Sequence, residues 1–363
     1  MAVSFPPLRS LLHPDDLTGV LSHGLRRIAR PVPNTLAHLD AYRGHSAAAL
    51  FPAPARVPAV RVSRRWALPG LVSEDLVFPS LHEPIEPRFR QRYLSEYGAS
   101  HVVYARRLRP ASAGARPRLL YLHGYLQPET YVEEVALLAA MALRLDVEVI
   151  QVQPPYHGRR TPAGSRFSGE FFCTADLVRS VEALRQNVLD VRTLLGWLLD
   201  EDPRPVGILG LSLGGALALT LACVEDRLAF AIALVAHMDL HALVTDAPVL
   251  APMRQELREF GWSTDDLGAF LAQIGWPALR PRLPPQQVHL FAAADDRFFA
   301  PAVVEALWDR WGRPPIRWYA CSHMGFIPRL PEVVGAVRTF VDDQARRAPA
   351  RYSTQPSRVA SRG

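Results

Sequence analysis

Three side-chain types, far apart in the chain, could together make a serine hydroxyl react: Ser212, His323 and an aspartate at 295 or 296. A serine hydroxyl is a weak nucleophile. It needs a base to take its proton, and the base needs an acid to hold its ring and its charge. Ser212 sits in Gly210-Leu211-Ser212-Leu213-Gly214-Gly215, a G-x-S-x-G string. The string alone is weak, and its position carries the weight. An apolar run over 206–209 enters it and an Ala/Leu-rich run leaves it. A serine held on a sharp strand-to-helix turn has this context, with glycines where bulkier side chains would collide.

His323 is the candidate base. It lies in Cys321-Ser322-His323-Met324-Gly325-Phe326, directly after a strand expected over 316–320. The acid should follow the preceding strand, and Phe291-Ala292-Ala293-Ala294-Asp295-Asp296-Arg297 does. Asp296 is preferred, because the small residues before it and Arg-Phe-Phe after it put it where such a loop turns over. Asp295 is the alternative and Asp239 the outside choice. A tetrahedral oxyanion would also need N–H donors. Leu213 N–H would supply one, at the start of a helix whose dipole favours negative charge. Tyr125 N–H, in His123-Gly124-Tyr125, would supply the second.

Positioning these groups takes a particular set of elements. Strands are expected over 99–108, 118–122, 147–152, 205–211, 229–236, 288–293 and 316–320, with helices between them over 131–145, 176–199 and 213–223 and further helices after Pro301 and Pro331. In the segment 176–199, Leu177, Val181, Leu184, Val188, Val191, Leu195 and Leu198 recur at three- and four-residue steps, the period of an amphipathic helix. Strand–helix alternation implies an α/β fold, a mostly parallel, doubly wound sheet, because parallel strands need crossover connections. Ligands of such sheets bind at the carboxyl ends of the strands. Residues 237–287 break the rhythm, with weak helices over 251–260 and 264–274, and read as a small helical cap over that edge. Residues 1–70 carry nine prolines, nine arginines and three acids, and read as an arm with one short helix over 15–30. Residues 346–363 read as a disordered tail.

Composition removes several classes. The chain has 363 residues, 49% apolar and 21% charged, which is globular. No apolar run is long enough to cross a membrane, and the first thirty residues lack the apolar stretch of a secretory signal. The net charge of +6 raises nucleic acid as a partner, but all 41 basic residues are arginine and they are scattered. Asparagine occurs only at Asn34 and Asn187, so the bias reads as codon usage and no nucleic-acid partner is expected. Three widely spaced cysteines, Cys173, Cys223 and Cys321, form neither a disulfide framework nor a zinc pattern. A cytoplasmic location is expected.

From about residue 71 to 345 the chain resembles the α/β-hydrolase superfamily, on His123-Gly124-Tyr125, the elbow at Ser212, an acid after the penultimate strand and His323 after the last. Ser212, Asp296, His323 is also that superfamily's chain order. Pro155-Tyr156-His157-Gly158-Arg159-Arg160-Thr161-Pro162 resembles the P-Y-x-G-x-R-x-P loop of a lipid-deacylating subgroup, whose elbow usually has Met where this chain has Leu213. Arg159 or Arg160 could then meet an anionic head group, or the loop could be a polar turn. The expected organisation is an arm over 1–70, packed on or extending from the core, and a hydrolase domain over 71–345 with a cap at about 237–287; the reading is a serine esterase, with neither metal nor cofactor expected. The expected partner is a small-molecule ester. Leu250, Met253, Phe260, Trp262, Phe270, Ile274 and Trp276 could line a lipophilic acyl pocket, or simply hold the cap together. Acyl transfer, lyase or cofactor-free peroxidase chemistry, and a non-catalytic binding role, are the alternatives, since a fold does not fix a reaction.

Overall fold

The computed structural model describes residues 13–25, 32–114, 116–127, 134–273 and 278–347. Among them, nine strands form one sheet: β1 (Arg61–Leu68), β2 (Leu71–Pro79), β3 (Val102–Pro110), β4 (Arg118–Leu122), β5 (Glu148–Val152), β6 (Val206–Leu211), β7 (Ala231–Leu234), β8 (Val288–Ala293) and β9 (Ile316–Tyr319). Their order is β1-β2-β3-β5-β4-β6-β7-β8-β9. The strands β4 to β9 run parallel, whereas β1, β2 and β3 form an antiparallel meander joined to β5.

Strand β4 is apolar after Arg118 and wholly buried, as a strand covered on both faces must be. Leu120 and Leu122 face one core, and Leu119 and Tyr121 the other. The neighbours of β4 are β5 on one side and β6 on the other, so chain direction across the sheet reverses there. A crevice opens at the carboxyl ends of β4 and β6, where a binding site is expected in such sheets. Gly124, Tyr125 and Ser212 all follow those ends directly.

The described residues of the expected arm, 13–25 and 32–70, pack on the rest of the chain. Leu39, Tyr42, Leu50 and Phe51 are buried in the main core, and β1 extends the sheet. The long helix Leu177–Glu201 explains why: its polar face is buried as well as its apolar one. Tyr42 Oη donates to Glu182 at 2.7 Å, and Val178 N donates to Asn34 Oδ1 at 3.0 Å. Arg185 and Arg192 donate to the carbonyls of Leu50 and Phe51 at 2.8 and 2.6 Å. Residues 34–51 thus satisfy a helix face that would otherwise be wet. Strands β1 and β2 and the helix Pro87–Glu96 lie where no element was expected.

Residues 237–287, expected to form a cap, hold the helices Leu240–Asp246, Ala251–Glu259 and Thr264–Gln273 between β7 and β8. The arm's helix, Pro14–Leu25, packs against this segment, with Gly19 so close to Pro248 that an added Cβ would lie 2.9 Å from its carbonyl oxygen. The final helix, Leu330–Arg347, ends the described chain, so most of the expected tail lies outside the described residues. No helix among the described residues is long and apolar enough to cross a membrane.

Candidate active site

Ser212 joins β6 to the helix Leu213–Val224 with φ 56° and ψ −117°, backbone angles that side chains other than glycine's rarely adopt. Such strain costs about 1–3 kcal/mol and persists only where the surroundings over-determine it. Here they do. A Cβ on Gly210 would lie 2.0 Å from the Gly214 carbonyl oxygen, and one on Gly214 would lie 2.0 Å from the Leu122 carbonyl oxygen. Glycine at both positions lets the turn close against β4. Ser212 N donates to the Leu234 carbonyl at 2.9 Å, tying the turn to β7.

His323 lies in the loop after β9, and its Nε2 is 3.0 Å from Ser212 Oγ. Its Nδ1 is 2.9 Å from Asp296 Oδ2, in the loop after β8. The other Asp296 oxygen accepts from Phe298 N at 2.7 Å and Phe299 N at 2.8 Å. Phe298 stacks on the imidazole with centroids 4.4 Å apart, and Phe299 does so at 5.5 Å. The ring is therefore held at both edges and on its face. A row of this kind can pass a proton from hydroxyl to imidazole while the carboxylate fixes the tautomer.

The two adjacent aspartates behave differently. The Asp296 side chain is 1% exposed and faces His323. Asp295 is 68% exposed and meets His13 Nε2 at 2.9 Å. Asp239 caps the helix Leu240–Asp246 by accepting from Ala242 N at 3.0 Å. Leu213 N–H is the first of its helix, where backbone donors have no acceptor within the helix. Leu213, Tyr125, Ser212 and His323 all line one cavity of about 320 Å³. Its other walls are almost entirely apolar, among them Val235, Leu243, Val249, Leu250, Phe298 and Phe326.

Of the apolar cap residues named from sequence, Leu250 is the only one among the described residues that reaches this cavity. Met253, Trp262 and Phe270 are core, and Ile274 and Trp276 lie outside the described residues. The Pro155–Pro162 loop is also structural. Arg160 is buried and donates to the carbonyls of Gln153 and Ser100 and to Asp190 at 2.9, 2.8 and 2.7 Å. Arg159 donates to Asp75 at 3.2 Å and lies over the Tyr104 ring. Arg160 is thus engaged in anchoring the loop, whereas the Arg159 side chain remains one-third exposed.

Two further histidines flank the site. Burial pushes His237, packed against Phe299, down to about 4, and pushes His157, packed against His123, down to about 3. Both stay neutral near pH 7. Sequence reasoning missed the arm's contribution: Thr18 lines the cavity, and Asp15 touches both loops. Its signal was present as Asp15-Asp16, but acids at a helix start read first as partners of that helix's own dipole.

A profile of the alpha/beta hydrolase family matches residues 119–360. With the sheet order and the elbow in place, the chain belongs to the alpha/beta hydrolase family. It is 32% identical over 261 residues to the uncharacterized protein Rv2627c of Mycobacterium tuberculosis, a match covering 69% of this chain and 58% of that relative's length. Among solved structures, the acetyl xylan esterase of Paenibacillus sp. R4 superposes with a TM-score of 0.57 at 16% identity, over 85% of this chain and 99% of that one. Acetyl xylan esterase 1 of Thermoanaerobacterium sp. JW/SL YS485 gives 0.56 at 16%, over 91% and 98%. At such identities the likeness speaks to the fold.

Proposed function

We propose that this protein is a serine hydrolase acting on carboxylic esters with an apolar acyl group. The observation that carries the reading is the row Ser212 Oγ, His323 Nε2 and Nδ1, Asp296 Oδ2, with steps of 3.0 and 2.9 Å, opening on an apolar cavity. Ser212 Oγ attacks the ester carbonyl carbon while His323 Nε2 takes its proton. Asp296 holds the ring and stabilises its cationic form. The tetrahedral oxyanion is met by the N–H groups of Leu213 and Tyr125. Collapse breaks the C–O bond, the imidazolium protonates the leaving alkoxide, and an acyl-serine remains. Water then attacks that ester, loses its proton to His323, and the acid departs as Ser212 recovers its hydrogen.

The acyl assignment follows from the walls. An apolar cavity of about 320 Å³ favours a hydrocarbon chain over a sugar or a charged group. Labelling by a fluorophosphonate probe tests the nucleophile, and p-nitrophenyl esters of rising chain length test the pocket. The expected result is labelling that disappears in Ser212→Ala and His323→Ala, with acyl chains longer than acetyl preferred. Ester hydrolysis that survives in Ser212→Ala would sink the reading.

A further inference from the structure

The arm's helix reaches the site through one residue whose contacts the chemistry above does not use. Asp15 is completely buried. One carboxylate oxygen accepts from Arg297 N and from His323 N, each at 3.0 Å, and the other accepts from Met324 N at 2.9 Å. The first donor follows Asp296 directly in sequence, and the second belongs to His323 itself. The loops after β8 and β9 come from separate strand ends, and Asp15 binds the backbone of both.

We infer that Asp15 is a positioning residue for the Ser212–His323–Asp296 row, acting through the backbone of His323. This rests on the serine-hydrolase reading above. A carboxylate has enough lone pairs for three N–H donors, and bonds to an ionised acceptor are about twice as strong as neutral ones. Removing it leaves three backbone donors without this partner at the base of both loops, so the loops shift to find others. The imidazole then loses its register with Ser212 Oγ, and a displacement near 1 Å can cost roughly 100-fold in rate. Two neighbouring residues also meet the loop after β8: Asp16 pairs with Arg297, and His13, just before the helix, with Asp295. These contacts are more exposed, and such pairs contribute little. Asp15 is set apart by its burial and by the identity of its donors.

The test compares labelling rate by a fluorophosphonate, kcat and KM for a p-nitrophenyl ester, and the thermal midpoint, in wild type, Asp15→Ala, Asp15→Asn, His13→Ala and Asp16→Asn. Asp15→Ala is expected to lower the labelling rate and kcat by about 10- to 100-fold with KM changed less than about threefold. Asp15→Asn, which turns one acceptor into a donor facing an N–H, should fall between it and wild type. Asp16→Asn should stay within about twofold, and His13→Ala, whose ring also lies 3.9 Å from the Asp15 carboxylate, should lose less than either Asp15 variant. A purely structural role would lower the thermal midpoint and leave kcat of the folded protein intact. Wild-type labelling rates in both Asp15 variants overturn the inference; if Asp15→Ala does not fold, Asp15→Asn decides alone. Failure of wild type itself to label overturns the hydrolase reading instead, and this inference with it.

Discussion

The proposed nucleophile and the proposed base are built by opposite means. Ser212 is fixed by backbone: two glycines beside it let the turn close on β4, and its own N–H bonds the Leu234 carbonyl of β7. His323 is fixed by groups from elsewhere: Asp296 on one ring edge, Phe298 and Phe299 on its face, and Asp15 on its backbone. A turn set by local sterics resists change anywhere except at its own glycines. A loop held by distant polar partners can be loosened by a substitution hundreds of residues away. The same site thus has one half that is rigid by construction and one half that is rigid by assembly.

Substitutions at each half probe that contrast. Ser212→Ala and His323→Ala should each lower kcat by roughly 10⁶-fold, because members of such a row act as a unit. Asp296→Asn should cost roughly 10⁴-fold by favouring the wrong tautomer, whereas Asp295→Asn should leave ester hydrolysis nearly unchanged. Equal losses at the two aspartates would contradict the assignment of the acid. Gly214→Ala drives a Cβ into the Leu122 carbonyl. Overpacking against backbone should cost about 3 kcal/mol or more in chemical denaturation and remove activity with it.

Acid stability should separate the two halves next. His237 has a folded pKa of about 4, below its ordinary 6.5. As pH falls below about 6.5 the unfolded chain takes up the proton first, so stability is complete above that pH and is lost down to about 4. The depression corresponds to on the order of 3 kcal/mol. Urea midpoints measured from pH 7 to 5 should decline, and His237→Gln should make that decline shallower, the remainder including the share of His157. Below about pH 4.5 the buried carboxylates Glu182 and Glu225, held near 2 chiefly by partners that outweigh their burial, add their own loss. The smallest effect is expected at the elbow: Ser212→Gly relieves the positive φ and should raise stability by about 1 kcal/mol while abolishing activity. Ser212→Ala, which keeps a Cβ at that φ, should show no such gain.

Legibility followed the same division. The elbow could be read because strand, glycines, serine and helix are contiguous, and the central strands could be read because both faces of each are buried and apolar. Strand β1 could not, since its Arg-Val-Ser-Arg-Arg stretch lies on an exposed edge where alternation is not required. The helix Leu177–Glu201 was visible by its period, but nothing local said that its polar face would be buried under residues 34–51. His13 looked like one of several arm histidines, and Asp15 like a helix-start acid. Their partners, Asp295 and the backbone of Arg297, His323 and Met324, lie 282 and more residues away. No window of sequence contains both sides of such a contact.

The clamp at Asp15 also imposes an order on how the protein comes into being. The helix Pro14–Leu25 is made early, but its acceptor meets the backbone of His323 only 308 residues later in the chain. At synthesis rates of about 5–20 residues per second, roughly 15–60 s separate the two. Through that interval Asp15 waits without the His323 and Met324 donors, while the sheet grows outward to β9. The reactive geometry is therefore among the last features the nascent chain acquires, and a ribosome that stalls before β9 releases a protein with its serine turn complete and nothing to activate it.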